Sequence, residues 1–108
     1  AFAQRLRDAT LADATLQAFE SYSSSIVLAG NGHVRRDRGI PWYLQYRNPS
    51  LQIVSVMLME VRDDQLKPED YGLRNKDHLP LADYFVFTPQ AQREDPCQEF
   101  KKKLEKRE

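Results

Sequence analysis

Residues 51–61 read Leu51-Gln-Ile-Val-Ser-Val-Met-Leu-Met-Glu-Val61, and this stretch decides the fold. It is dense in Val, Ile, Leu and Met with little polar alternation. That is the composition of a central strand in a parallel sheet, buried on both faces. Upstream, Ser25-Ile-Val-Leu-Ala29 is a shorter apolar run that predicts a buried strand, ended by Gly30-Asn31-Gly32. Glycines there let the backbone turn. Between the two runs, Pro41 suits the first turn of a helix. That helix would pass through Trp42, Leu44 and Tyr46 and stop at Asn48-Pro49. Strand, helix and strand at this spacing predict a βαβ unit with a right-handed crossover.

Further out, Phe2, Leu6, Ala9, Ala12, Leu16 and Phe19 recur at spacings of three and four, the mark of an amphipathic helix. Residues 62–80 have mixed charge, two prolines and a glycine, so they predict a long surface loop. Asp83-Tyr-Phe-Val-Phe-Thr88 is a third strand, closed by Pro89. Asp95-Pro96 opens a last helix, with Gln98 placed for a capping-box contact to Asp95. Cys97, Phe100 and Leu104 would form its apolar stripe, and Cys97 is expected to be buried there. Lys101-Lys-Lys103 reads as a solvated face. The expected fold class is α/β, a small mostly parallel sheet with flanking helices around a βαβ core, part of a larger α/β domain. Three strands are few for such a sheet, so a homodimer partner or a missing half is expected to cover it.

The chain has 108 residues, with 16 Lys+Arg against 16 Asp+Glu. One domain with one modest core is what this length supports. A hydrophobic share of 41% with 30% charged residues is that of an ordinary globular protein. Zero net charge argues against a nucleic-acid-coating protein. No apolar run approaches a membrane span, and no secretory signal pattern opens the chain. The single cysteine, Cys97, forbids an intrachain disulfide and a cysteine-built zinc finger. Ala1 falls directly in a helical pattern, so a piece of a longer protein is the expectation.

The chemistry concentrates in Gly30-Asn-Gly-His-Val-Arg-Arg-Asp-Arg-Gly-Ile-Pro41. This segment lies after a parallel-type strand and before a helix, where open α/β sheets bind ligands. Arg35, Arg36 and Arg38 are charge-assisted donors for a carboxylate or phosphate. His33 can ligate a metal, shuttle a proton or donate a hydrogen bond. The expectation is that His33, Arg35 and Arg36 gather at the carboxyl end of the sheet. Each has a plainer role as well. His33 can cap the loop, and the arginines can pair with Asp37 or other carboxylates. Met57 and Met59 share a strand face and read as core. His78 reads as exposed and inert, and Glu60, Asp63 and Asp64 as a solvated strand end.

The same segment, with Trp42-Tyr-Leu44 after it, resembles the signature of the ChaN-like haem-binding proteins of the Tiki superfamily. Arg7-Asp-Ala-Thr-Leu-Ala12, residues 82–89 and Asp95-Pro-Cys97 extend the resemblance over most of the chain. It implies that the chain is the C-terminal half of a ChaN-like domain, lacking the Gly-Glu-x-His type motif of the N-terminal half. It also implies haem binding linked to iron uptake in the bacterial cell envelope, by proteins that are often lipoproteins. A membrane would then be met only through a lipid anchor that this chain does not carry. Carried over from the motif, His33, Arg35 and Arg36 would contact haem, the arginines at its propionates. Tyr43 would be the iron ligand, since tyrosinate suits ferric iron, with Tyr46 one turn later as the alternative. For both tyrosines the competing reading is core or interface packing.

Two other functions compete. Tiki-superfamily relatives include metal-dependent hydrolases, of which this chain would be a fragment. Metal catalysis needs about three protein ligands at one site, and the two histidines are far apart in sequence, which favours a non-enzymatic protein. A structural module whose basic loop binds any anion is the third reading.

Overall fold

The computed structural model describes residues 2–91 and 95–107. Helix α1 spans Phe2–Tyr22, α2 spans Ile40–Arg47, strand β1 spans Val56–Glu60, β2 spans Tyr84–Thr88 and α3 spans Pro96–Lys106. Single 3-10 turns form at Asn31–His33 and Pro68–Tyr71. The fold is mixed α/β, with a two-stranded parallel sheet in which Val56 pairs with Tyr84 and Glu60 with Thr88.

Helix α1 packs on α2. Ala12, Ile40 and Leu44 form the buried centre of that contact, joined by Leu16, Val27, Tyr43, Leu51 and Ile53. Pro41 sits in the first turn of α2, as its fixed φ favours, and the Asn48 N–H closes the helix on the Leu44 carbonyl at 2.9 Å. A second apolar cluster joins Met57, Leu81 and Ala82 to Val34, Met59 and Phe85. The methionines are therefore packing residues.

The parallel pair is β1 with β2, so the βαβ unit expected around α2 is not the one that forms. Residues 25–29 form neither helix nor strand, and their backbone groups pair with no other described segment. Ile26 is 91% exposed and Leu28 is 94% exposed, whereas Val27 turns inward onto the α1–α2 cluster. An apolar run becomes a strand only when its backbone pairs with a partner edge, and this run leaves the open edge of β1 unpaired. The long strand expected over 51–61 shortens to Val56–Glu60 for the same reason. Met57 is buried, while Val54, Val56 and Leu58 face outward.

The β1–β2 connection is the surface loop that its composition predicts, with internal order of its own. Tyr71 stacks edge-on against Phe87 at 5.1 Å, accepts from the Arg62 N–H and donates to the Gln65 carbonyl. That ring pins the connection to β2. Helix α3 begins where Asp95-Pro96 predicts, with Asp95 Oδ1 accepting from the Cys97 N–H at 2.9 Å. Its apolar stripe is bare: Phe100 and Leu104 are exposed, and so is Cys97, which corrects the expectation of a buried thiol.

Candidate functional site

The segment between α1 and α2 is built by short-range turns. The Gly30 carbonyl accepts from the His33 N–H at 2.9 Å, closing the first 3-10 turn. Asn31 Nδ2 donates to the Leu58 carbonyl at 2.7 Å, and Gln4 Nε2 donates to the Gly32 carbonyl at 3.1 Å. The turn is thus tied to β1 on one side and α1 on the other. Gly39 is required at its far end. A Cβ there would collide with the His33 carbonyl and stand 2.7 Å from the Arg35 carbonyl oxygen.

His33 Nδ1 lies 2.5 Å from Asp8 Oδ1. Asp8 is 1% exposed, although it sits on a helix whose neighbouring turns face water. Sequence reasoning missed it. The signal was there in the spacing, because Asp8, Ala12 and Leu16 stand four residues apart on one helix face.

The arginines are held by carboxylates. Arg35 makes a two-point contact with Asp37, Nε to Oδ1 at 2.9 Å and Nη2 to Oδ2 at 2.6 Å. That side-chain hydrogen bond holds the Asp37 carboxyl below the usual carboxylate range, against burial, which acts the other way. Arg36 donates to Asp83 Oδ2 at 2.7 Å and to the Ile53 carbonyl at 3.2 Å. The same Asp83 oxygen accepts from the Ser55 N–H. These partners precede β1 and β2, so Arg36 lies at the amino ends of the strands. His33 and Arg36 therefore do not share the carboxyl end, because Asp83 draws the guanidinium the other way. Arg38 is exposed and helps hold the Asp37 carboxyl low.

Tyr43 is half-buried against Ala12, Ile40 and Leu44. The Arg47 guanidinium lies 6.0 Å from its ring centroid while bonding Asp13 and the Ala9 carbonyl of α1. His33 and Tyr43 are thus served by successive turns of α1. Tyr46 is 75% exposed and stacks on Trp42, centroids 5.5 Å apart and planes 6° from parallel. His78 is exposed in the β1–β2 connection, its carbonyl accepting from Arg74 at 2.7 Å. No group of three metal-ligating side chains converges among the described residues.

The donor set fits haem in part. An imidazole steadied by a carboxylate and the phenols of Tyr43 and Tyr46 are iron-binding chemistries. Arg35 and Arg36 would have to exchange an internal carboxylate for a propionate.

Residues 1–44 match the family described as haem-binding uptake, Tiki superfamily, ChaN. Among curated proteins the chain is similar to cytochrome c oxidase subunit 2 of Albinaria turrita, 34% identical over 65 residues. That alignment covers 60% of this chain and 26% of the relative, so the match spans about a quarter of that protein's length. No solved structure matches.

Proposed function

We propose, with the family match over residues 1–44 as the premise, that the chain is a non-enzymatic haem-binding protein acting in haem and iron uptake. The observation that carries this is one of position. The matched stretch runs from α1 into α2 and holds the Asp8–His33 pair, Arg35, Arg36 and, packed at the α1–α2 contact, Tyr43. In this reading His33 and Tyr43 face the iron, and Tyr46 is the second phenol. Arg35 and Arg36 reach the propionates by leaving Asp37 and Asp83. The chain works in the bacterial cell envelope, as the family's uptake role implies, with a homodimer partner or an N-terminal half of the same protein beside it. The hydrolase alternative asks for about three ligands at one metal, and the geometry supplies no such group among the described residues.

Titration of the apo chain with ferric haem tests the proposal. Saturable binding with a shifted Soret band is the expected result. Tyr43→Phe keeps the ring and removes the phenol oxygen, so the ferric spectrum should lose tyrosinate character while Tyr46→Phe changes little. A reversed pattern moves the iron contact to Tyr46. Absence of saturable binding, or hydrolysis that depends on an added divalent metal, overturns the reading.

A further inference from the structure

We infer that Asp8 is the positioning residue of this site: its buried carboxylate holds His33 with the proton on Nδ1, so that Nε2 offers its lone pair to the iron of a bound haem. The inference rests on the haem-binding reading and adds to it a residue and a defined tautomer. A carboxylate oxygen 2.5 Å from Nδ1 is the natural acceptor for an N–H on that nitrogen, and the geometry points to Nδ1 as the donor. Among the described residues the ring makes no other hydrogen bond, and the side chain is 26% exposed. Nε2 is thereby left for a ligand.

Burying a carboxylate is costly unless a partner meets it. Asp8 has that partner in His33, and the partner's backbone is fixed before any ligand arrives. The Gly30 carbonyl, the Asn31 side chain on β1 and the Gln4 side chain on α1 each hold one part of the turn that carries the imidazole. A carboxylate behind an imidazole, on a prearranged backbone, is the arrangement that orients metal-bound histidines and raises their basicity.

The test uses the full 108-residue chain and two readouts. In the apo protein, nitrogen NMR of the His33 ring reports its tautomer. The wild type should carry its proton on Nδ1. Asp8→Asn puts an amide where the carboxylate was, so the amide N–H can donate to Nδ1 and send the proton to Nε2. With ferric haem added, Asp8→Asn should bind about 10- to 100-fold more weakly. His33→Ala should lose the imidazole signature of the ferric spectrum. Circular dichroism checks that each variant folds, and Asp8→Ala, which removes the acceptor and should release the Nδ1–H tautomer, replaces Asp8→Asn if that variant does not. Retention of the wild-type tautomer in Asp8→Asn overturns the positioning role. A His33→Ala spectrum identical to wild type overturns the iron contact while the haem reading stands. If the wild type binds no haem yet its tautomer is Nδ1–H and flips in Asp8→Asn, the haem reading fails and the hold of Asp8 on His33 is upheld.

Discussion

Asp8 and Asp37 show two ways in which a carboxylate can govern a basic neighbour. Asp8 is sealed from water and fixes one ring, whereas Asp37 stands in a partly exposed fork with Arg35. For Asp37 the consequence is a pH dependence. Its folded-state pKa lies below the unfolded value, chiefly through the Arg35 hydrogen bond. The pair's stabilisation is therefore complete above the ordinary carboxylate pKa of about 4. It is lost as pH falls through the lowered value. Arg35→Ala is expected to flatten the acid limb of a stability–pH curve measured by urea unfolding. An unchanged acid limb would mean that the fork contributes nothing, as many partly exposed pairs do. The fork was legible in sequence as Arg-Arg-Asp-Arg. Asp8 was not, because a charged residue in a helix is assigned to the solvent side by default. The stripe through Phe2 and Leu6 pointed elsewhere, and both of those side chains are in fact exposed.

Among the elements, α2 depends on how its chain enters. Gly39 lies against the carbonyls of His33 and Arg35, and its N–H donates back to the Arg35 carbonyl at 2.8 Å. Its φ of −97° is open to any residue, so the constraint is space and not backbone conformation. Gly39→Ala must push α2 away from the turn, an overpacking cost of about 1–3 kcal/mol. A fall in thermal midpoint with loss of the α1–α2 contact is the expected result, and an unaltered midpoint would show that the turn yields freely. The helices and β2 were readable because Pro41, Asn48, Pro89 and Asp95-Pro96 mark their ends through local chemistry. The strand expected over residues 25–29 was not, because pairing is a long-range property. Its composition is apolar, but no described segment pairs with it and no strand forms.

At the scale of the whole molecule, the radius of gyration is 17.8 Å, with extents of 56 × 37 × 27 Å. A compact domain of about 100 residues has a radius near 13 Å. The excess agrees with what faces outward: Ile26, Leu28, Val54 and Leu58 are each more than half exposed. Unpaired backbone beside bare apolar side chains is a template for association. The 108-residue chain alone is therefore expected to self-associate, with a second copy taking the uncovered face. Sedimentation velocity across micromolar concentrations is the check. A single monomeric species throughout would show that this surface tolerates water.

Asp83 carries a consequence for the order in which the molecule assembles. Its carboxylate joins Ser55, 28 residues away, and Arg36, 47 residues away. Closing loops of that length costs entropy before any contact repays it. The α1–α2 corner closes separations of 25 residues between Asp8 and His33 and 38 between Ala9 and Arg47, both shorter than the 47 between Arg36 and Asp83. The route of least resistance is a corner that forms early and a sheet that closes late, with Asp83 as the final clasp. The stretch bearing His33 and Tyr43 would then be in place while β2 is still searching for its register.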